Sequence, residues 1–357
     1  MPRPIYAQID LAALKHNLSV VRHHAPRSKI LVVVKSNGYG HGLLRIAKTL
    51  STADGFAVLG IEEAVILREA GFNGRIMLLE GLFSADEVPV ASQCELTVVV
   101  HRFDQIAMIE AEKPGLKLDV AIKINTGMNR LGFDPASFTK ALAQLRSSSY
   151  VKNITLMTHF ATADDQAGVQ DQLQIFNLTT SSQNLESSLA NSAAILRYPE
   201  THTEWVRPGI MIYGGTPFAD TSARELGLMP AMTLQSEIIA IQHLKSGDRV
   251  GYGGVFCAQR EMRIGIIACG YADGYLRHAF TGTPVCVAGK MTTTVGRVSM
   301  DMMYADLTQI PEADVGSPVV LWGKGLPVED VAKTVGTVNY ELLCALASRV
   351  RMKEING

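Results

Sequence analysis

The sequence predicts an α/β protein in which a TIM-type (β/α)8 barrel is followed by a mainly antiparallel β domain. Up to about residue 213, eight short apolar runs alternate with segments of helical periodicity, which is the pattern of parallel strands joined by helices. A turn at 214–217 and a polar stretch follow. From residue 231 onward the pattern is rich in short strands separated by turn residues. We therefore place the barrel at 11–230 and the β domain at 231–357.

The eight apolar runs are the predicted barrel strands. Most are rich in residues that favour strands, whereas the seventh has little β-propensity. Between the runs, apolar residues recur at helical spacing, as at Leu43, Ile46, Ala47 and Leu50. A doubly wound open sheet is the alternative, but no strand is followed by a GxGxxG turn. The runs cover residues 30–34, 56–59, 76–79, 96–100, 118–124, 154–157, 188–190 and 206–213.

The predicted second domain contains six strands and two helices. Its strands alternate or are short and apolar, and turn residues separate them. Residues 5–10 also read as a strand, and we expect residues 1–10 to join this domain. The strands are predicted at 233–241, 263–268, 284–287, 292–298, 302–307 and 318–321, and the helices at 328–335 and 340–347.

The composition excludes several classes of partner. The net charge is −1 and charged residues make up 19% of the 357 residues, with no long basic or acidic block. This argues against a nucleic-acid partner and against a membrane partner bound by charge. Five cysteines without CxxC spacing argue against a disulfide framework and a zinc site, so we expect no metal. No signal segment or membrane-spanning run is found, which predicts a cytoplasmic protein.

Lys35 is the most informative single residue, because it follows the β-branched residues Val32, Val33 and Val34. Such a strand is expected to be buried, and a buried ammonium group is costly unless it is paired or neutral. Neutrality is what an imine-forming lysine requires. The glycine-rich segment 38–42 would let the backbone approach a ligand. The alternative is a lysine that extends its ammonium group from the strand end to solvent.

Polar residues collect at the carboxyl ends of the predicted strands, where barrel enzymes carry their chemistry. Each has a structural alternative, since a histidine at a strand end is more often a hydrogen-bonded part of the scaffold. Together they fit an anionic aldehyde cofactor, which would condense with Lys35 while its phosphate is bound by Ser192 and by backbone N–H groups near Gly209. The residues are Lys35, Lys123, Asn125, Arg130, His159, Asn191, Ser192 and Arg207 to Ile210.

Nine segments in order resemble the motifs of the alanine racemase family, which are pyridoxal-phosphate enzymes of fold type III. The resemblance covers essentially the whole chain. The segments are 34–42 (VKSNGYGHG), 123–132 (KINTGMNRLG), 158–161 (THFA), 191–194 (NSAA), 206–214 (VRPGIMIYG), 250–254 (VGYGG), 270–275 (GYADGY), 295–301 (VGRVSMD) and 339–341 (NYE).

The resemblance implies racemisation of L- and D-alanine with pyridoxal 5'-phosphate as the cofactor. Lys35 would carry the cofactor and act as one acid/base group. Tyr252 would be the other, reaching the site from the partner subunit of a homodimer with shared active sites. Tyrosine is a weak base at its usual pKa of about 10, so a relay with His159 and Arg207, both expected as cations, would lower the pKa of Tyr252.

The resemblance also implies roles for the remaining site residues. Arg207 would contact the pyridine nitrogen, and Arg130 the phenolic oxygen and the substrate carboxylate. The backbone N–H of Met300 would bind the same carboxylate, and Tyr271 and Ser299 would line the entrance. Lys123 is the lysine that the family often carbamylates. The phosphate would be bound by Tyr39, Ser192, Gly209, Ile210 and Tyr340.

Three alternatives stay open beside the alanine racemase hypothesis. One is a racemase for serine or another small amino acid. Another is a PLP-binding barrel protein without racemase activity, although such proteins lack the second domain and its tyrosine. The third is a decarboxylase of the same fold type, which would need a cysteine and an acidic pair that are not found near Ser299 and Met300.

Overall fold

The computed structural model describes residues 3–357 and divides them into two compact units. The barrel unit comprises Lys15–Ile212 and Thr216–Leu228. The sheet unit comprises the described residues up to Leu14, together with Tyr213–Gly215 and Met229–Gly357. Within residues 3–357, no helix is both long enough and apolar enough to span a bilayer.

The barrel unit contains a closed barrel of eight parallel strands, so the predicted fold class is confirmed. Most of its strands are apolar and almost wholly buried, as parallel strands covered on both faces are expected to be. The exceptions are Val151–Met157, whose first half is partly exposed, and the polar strand Ser187–Ser188. In chain order they are Lys29–Val33, Gly55–Val58, Arg75–Leu78, Thr97–Val100, Leu118–Lys123, Val151–Met157, Ser187–Ser188 and Trp205–Val206.

Helices alternate with the barrel strands and bury one apolar face each. In Pro135–Ser147, for example, the buried residues Phe138, Ala141, Leu142 and Leu145 follow helical spacing, and the preceding aspartate caps the first turn. The α-helices up to residue 197 are Leu11–His24, Leu43–Thr49, Ile61–Glu69, Glu87–Gln93, Phe103–Glu112, Pro135–Ser147, Gln170–Thr180 and Ser192–Arg197. Pro199–Thr201 and Ile210–Tyr213 are 3₁₀ helices.

The prediction of an eighth strand at 206–213 is wrong over most of its length. Only Trp205–Val206 is a strand, and the chain then leaves the sheet and forms the 3₁₀ helix Ile210–Tyr213. The physical cause is Pro208, which has no N–H to donate to a neighbouring strand. Its carbonyl still accepts the N–H of Val33 at 2.9 Å. The apolar residues after it are buried as helix rather than as strand.

The sheet unit contains an eight-stranded sheet that is antiparallel except where its first and last strands pair. Tyr6–Asp10 pairs with Met232–Leu244 and, in parallel, with Arg351–Ile355. The other strands are Met262–Ile267, Pro284–Val287, Lys290–Val295, Met303–Asp306 and Pro318–Trp322. The helices Val328–Val335 and Asn339–Cys344 follow, and short 3₁₀ helices lie at Tyr252–Gly254 and Tyr271–Asp273.

A two-stranded hairpin in the sheet unit carries Tyr252. Its strands are Arg249–Val250 and Phe256–Cys257. Val250 packs into a buried apolar cluster with Met262 and Val295. The hairpin is therefore anchored by hydrophobic packing at Val250, whereas residues 251–253 of its turn are exposed.

Candidate active site

Lys35 stands two residues after the strand Lys29–Val33, at the start of a left-handed turn. Backbone φ lies between 49° and 77° at every residue from 36 to 40. This conformation costs about 1–2 kcal/mol for each residue with a side chain. Because the turn takes the backbone out of the sheet, Lys35 is half-buried. The expectation of a lysine buried at a strand end is therefore wrong, and the side chain lies at the mouth of the barrel.

Side chains that follow Lys35 in sequence brace this turn. Asn37 Oδ1 accepts the backbone N–H of Leu43 at 2.8 Å. The ring Nδ1 of His41 lies 2.8 Å from the carbonyl oxygen of Tyr39 and 3.1 Å from that of Gly38, so it carries the proton and donates. These bonds offset part of the strain, which is typical of a functional site rather than of a scaffold loop.

The burial of His41 makes the stability of the protein depend on pH. Burial lowers the pKa of His41 from 6.5 to about 4, so between these values the unfolded chain binds a proton that the folded chain does not. The free energy of unfolding should fall as pH falls through this window, by about 2 kcal/mol between pH 6.5 and pH 5 from His41 alone. Urea denaturation at pH 7 and pH 5 measures the difference. His41→Gln should be less stable at pH 7 and should show a smaller loss at pH 5; equal losses in both proteins would contradict the assignment.

A small cradle lies beside this turn, formed by Tyr39, Ser192 and Gly209. A Cβ placed on Gly209 would stand 2.8 Å from the hydroxyl of Tyr39, so glycine at this position lets the hydroxyl approach the backbone closely. Ser192 Oγ accepts the backbone N–H of Gly209 at 2.9 Å, and within the described residues its own O–H has no assigned acceptor. The cradle thus brings the hydroxyl groups of Tyr39 and Ser192 beside the backbone of Gly209, and hydroxyl and backbone N–H groups are the kind that bind a phosphate.

Arg207 is buried beside His159 and is held by backbone and side-chain oxygens. It donates to Ser188 Oγ at 2.6 Å, to the Thr158 carbonyl at 2.6 Å and to the Leu189 carbonyl at 3.1 Å. Burial lowers the pKa of Arg207 to about 10, so the guanidinium stays charged at neutral pH. Its Nη2 lies 3.5 Å from His159 Nδ1.

His159 is neutral at this position. Burial holds its pKa well below the usual value of 6.5, and the positive charges of Arg207 and Lys123 lower the pKa further. The expectation that His159 is a cation is therefore wrong, since a second charge beside a buried arginine is disfavoured. His159 can therefore accept a hydrogen bond from Arg207, and it contributes no charge of its own.

Lys123 ends the strand Leu118–Lys123 and is surrounded by positive charge. Burial lowers its pKa from 10.5 to about 8, and the nearby guanidinium groups of Arg207 and Arg130 contribute to the shift. Lys123, Arg130 and His159 line one small cavity. The structure thus brings together the basic residues that the sequence places on separate strands.

Both units match one family of proteins. Residues 9–217 match the family described as "Alanine racemase, N-terminal domain", and residues 231–354 match "Alanine racemase, C-terminal domain". The chain belongs to the alanine racemase family. It is 55% identical over 354 residues to the alanine racemase of Nitrosospira multiformis, covering 98% of this chain and 99% of that protein.

Further relatives are named for opposite physiological roles. The catabolic alanine racemase of Klebsiella aerogenes is 51% identical, with 98% of this chain and 99% of that protein covered. The crystal structure of the biosynthetic alanine racemase of Pseudomonas aeruginosa is 45% identical and superimposes with a TM-score of 0.97, covering 99% of both chains. Similarity therefore assigns the family without separating the two roles.

In this member of the family, Asn125 shapes the loop that carries Arg130. Its side-chain amide donates to Asn129 Oδ1 at 3.0 Å, and its Oδ1 accepts the N–H groups of Gly127 and Asn129 at 3.1 and 3.0 Å. The loop is closed by a hydrogen bond from the Asn125 N–H to the Phe133 carbonyl at 2.8 Å. Arg130 is exposed at its tip.

The sheet unit carries the other predicted site residues. Tyr252 is 73% exposed, and Tyr340 is half-buried at the start of the helix Asn339–Cys344. Two backbone bonds, from Tyr271 N–H to the Ser299 carbonyl at 3.1 Å and from Ala272 N–H to the Met300 carbonyl at 3.0 Å, join the predicted entrance residues. These residues therefore form one local structure although they are separated in sequence.

A larger cavity, of about 1200 Å³, lies at the amino-terminal ends of the barrel strands. Arg75 crosses it and donates to Thr97 Oγ1 at 2.9 Å and to Thr155 Oγ1 at 3.0 Å. Polar residues at this end of such barrels serve stability, whereas chemistry occurs at the carboxyl ends. The carboxyl ends of the strands, where Lys123, Arg130 and His159 line the smaller cavity, are therefore the candidate site.

Three polar residues of the site were not identified from the sequence. Ser188 accepts a hydrogen bond from Arg207. His41 holds the backbone near Lys35, and Gln172 holds the backbone near His159. Ser188 lies in the strand with the weakest β-propensity, which is a usable signal. Gln172 lies in an amphipathic helix beside Leu173, where a polar residue reads as solvent-exposed. Nothing in the pattern distinguishes it from its exposed neighbours.

Proposed function

We propose that this protein is a pyridoxal-phosphate-dependent racemase that interconverts L- and D-alanine. The observation that carries the proposal is Lys35 on its braced left-handed turn beside the cradle of Tyr39, Ser192 and Gly209, in a chain of the alanine racemase family. The nearest alternative is a racemase for serine or another small amino acid.

The residues present fit pyridoxal 5'-phosphate. Tyr39, Ser192, Gly209, Ile210 and Tyr340 would hold its phosphate. The close approach of the Tyr39 and Ser192 hydroxyl groups to the Gly209 backbone supports this for the first three. When bound, the cofactor supplies an electron-withdrawing ring that makes the α-proton of an amino acid removable. Lys35 would hold its aldehyde carbon covalently.

Arg207 and Arg130 would orient the bound groups. Within the described residues, no acceptor is assigned to Arg207 Nε, while its terminal nitrogens are held by three oxygens. A rigid, permanently protonated guanidinium would donate to the pyridine nitrogen and keep that nitrogen unprotonated. Arg130 and the N–H of Met300 would bind the substrate carboxylate, and Tyr271 and Ser299 would restrict the entrance to a small side chain.

The acid/base work would be divided between two residues. Racemisation removes the Cα proton from one face and returns a proton to the other, so two groups on opposite faces accomplish it without moving. We assign the D-face to the Lys35 amine and the L-face to the Tyr252 hydroxyl. His159 and Arg207 would hold the far end of the hydrogen-bonded chain that reaches Tyr252.

The exposed residues around Tyr252 support a homodimer with shared sites. Val255 and Phe280 line one surface cavity of the sheet unit and are 51% and 52% exposed. Clustered exposed apolar side chains mark interaction surfaces, and a second copy of this chain would cover them while supplying Tyr252 to the other active site. The five cysteines are free thiols, which fits the proposed cytoplasmic location.

The proposal is tested by following the optical rotation of pure L-alanine and pure D-alanine with the purified protein. Both solutions should converge on an equal mixture, and kcat/KM for alanine should exceed that for serine by about tenfold or more, since a restricted entrance discriminates against a larger polar side chain. Faster turnover of serine would favour the alternative racemase. Absence of turnover for alanine, serine and lysine, with cofactor bound, would favour a PLP-binding protein without racemase activity.

We also propose that Lys123 is carbamylated. With a pKa of about 8, an appreciable fraction of the Lys123 amine is neutral near pH 8 and can attack carbon dioxide. The amine loses a proton and gains a carboxylate, which converts a cation between arginines into an anion. Incubation with ¹³C-bicarbonate should give a protein-bound carbamate signal that weakens below pH 7, because the amine is then protonated.

A matched lysine separates specific from general labelling at this position. Lys123→Ala should lose the signal, and Lys152→Ala, at an exposed position of the neighbouring strand, should keep it. A wild-type protein without a bound ¹³C signal would overturn the carbamate assignment and leave the racemase proposal to its own assay.

A further inference from the structure

Three buried polar side chains lie behind the site residues, and the mechanism proposed above uses none of them. Thr126, Thr158 and Gln172 are each more than nine-tenths buried. Thr126 follows the strand that ends at Lys123, Thr158 directly precedes His159, and Gln172 lies near the start of the helix Gln170–Thr180. Buried polar groups are retained where hydrogen bonds satisfy them, so their partners show what they hold.

Gln172 hydrogen-bonds to the backbone on both sides of Phe160, directly after His159. Its Oε1 accepts the N–H of Ala161 at 2.7 Å. Its Nε2 donates to the carbonyl of His159 at 3.2 Å and to Thr126 Oγ1 at 3.0 Å. A single side chain from a helix therefore fixes the segment after the strand Val151–Met157 and links it to the segment after the preceding strand, Leu118–Lys123.

The two threonines extend this contact to Arg207 and to the strand of Lys123. Their Oγ1 atoms lie 2.8 Å apart, and Thr158 Oγ1 donates to the carbonyl of Ile124 at 3.0 Å. The carbonyl of Thr158 accepts from Arg207 at 2.6 Å. The network of Gln172, Thr126 and Thr158, which we call the glutamine clasp, thus ends on the backbone that carries both His159 and the partner oxygen of Arg207.

We propose that Gln172 is a positioning residue for proton transfer on the Tyr252 side of the reaction. This inference rests on the proposed function. The clasp fixes the main chain at His159 and Arg207, and those residues hold the end of the hydrogen-bonded chain to Tyr252. Lys35 is braced by Asn37 and His41 instead, through bonds that do not involve the clasp. Loss of the clasp therefore affects one of the two proton transfers more than the other.

The first arm of the test measures the clasp itself, without reference to activity. Hydrogen–deuterium exchange of the purified full-length protein measures the exchange rate of the Ala161 amide, whose N–H donates to Gln172 Oε1. Gln172→Met keeps the length of the side chain and removes its hydrogen bonds, so exchange at residue 161 should accelerate by about tenfold or more, as expected for a freed amide. Gln174→Met is the matched control, because Gln174 is exposed on the same helix, and exchange at residue 161 should stay slow.

A second pair of variants keeps the test informative if Gln172→Met does not fold. Thr126→Ser retains the hydroxyl that Gln172 donates to, whereas Thr126→Val has nearly the same shape without it. Exchange at Ala161 should stay slow in the serine variant and accelerate in the valine variant. Equal exchange rates of the Ala161 amide in the two variants would contradict the proposed hydrogen-bond network.

The second arm measures whether the clasp acts on one proton transfer. In Gln172→Met, kcat/KM for alanine should fall by about 10- to 100-fold, as small misplacements of acid/base groups do. The primary isotope effect should rise for L-alanine deuterated at Cα, because the Tyr252-side transfer becomes limiting, and should not rise for deuterated D-alanine. The absorbance of bound cofactor should persist.

The two arms separate the possible failures. Isotope effects that rise equally for both enantiomers would reduce Gln172 to a structural residue and overturn the proposal. A wild-type protein that racemises no amino acid would overturn the proposed function, while the exchange arm would still decide whether the clasp orders the His159 segment.

Discussion

Lys35→Ala is expected to abolish the visible absorbance of the purified protein and to reduce racemisation by roughly 10⁴-fold or more. Loss of an acid/base group usually lowers the rate by about 10²- to 10⁴-fold. We expect the upper end of this range because the substitution also removes the covalent attachment of the cofactor. Absorption spectra of matched concentrations of wild-type and variant protein, followed by the optical-rotation assay, measure both effects.

The structure supplies a rival for the same role, which makes this experiment decisive. Lys123 is the lysine whose pKa is lowered to about 8, so by charge alone it is the more reactive amine. Lys35, in contrast, stands directly before the turn that ends at the cradle of Tyr39 and Gly209. We assign attachment to Lys35 because geometry decides before pKa which group can reach a reacting atom.

Two controls distinguish these amines. Lys48→Ala, at an exposed position of the helix Leu43–Thr49, should keep the spectrum and the activity. Lys123→Ala should keep the absorbance band even if activity falls. A band that survives in Lys35→Ala and disappears in Lys123→Ala would move the attachment to Lys123 and overturn the mechanism proposed for Lys35.

The barrel could be predicted from the sequence because its strands are short, apolar and regularly spaced. Runs such as 76–79 and 96–100 lie within about one residue of the strands Arg75–Leu78 and Thr97–Val100. Burial on both faces imposes continuous apolar character on each strand, and that character is visible without coordinates. The helix Val328–Val335 was predicted for the same kind of reason, since its buried face is strongly periodic.

The turn after Lys35 could not be predicted in the same way. The apolar run through Val34 continues the pattern of a strand. Neither Ser36 nor Asn37 favours a left-handed backbone strongly enough to predict five consecutive residues in that conformation. The conformation is imposed by tertiary bonds, among them those of His41 and of Glu63, whose Oε1 accepts the Asn37 N–H at 3.3 Å. Strain of this kind is expected where function overrides local preference.

The charge of His159 is a second property that the sequence could not reveal. A histidine near two cations and a buried strand end is compatible with either protonation state until distances are known. Burial and the field of Arg207 decide in favour of the neutral form. Which residues form the site follows from strand ends, whereas their protonation follows from the surroundings that only the fold creates.

Tyr252→Phe is expected to lower kcat/KM for alanine by about 10²- to 10⁴-fold, the usual contribution of a positioned acid/base group. The loss must be equal in the two directions, because L- and D-alanine have equal free energies. The asymmetry should appear in exchange of the α-hydrogen with solvent. In deuterium oxide, D-alanine should still exchange through Lys35 without racemising, whereas L-alanine should not exchange. Nuclear magnetic resonance of the α-proton measures both, and Tyr150→Phe, in the barrel unit, should behave as the wild type.

The origin of Tyr252 in a partner subunit can be decided by mixing two inactive proteins. If each site combines Lys35 of one protomer with Tyr252 of another, a heterodimer of Lys35→Ala and Tyr252→Phe chains has one site with both defects and one intact site. Random exchange in equal amounts makes half of the dimers mixed, so about a quarter of the wild-type activity should return in a symmetric dimer. If Tyr252 served the site of its own chain, every site would keep one defect and no activity would return. Recovery of activity on mixing therefore requires a shared site.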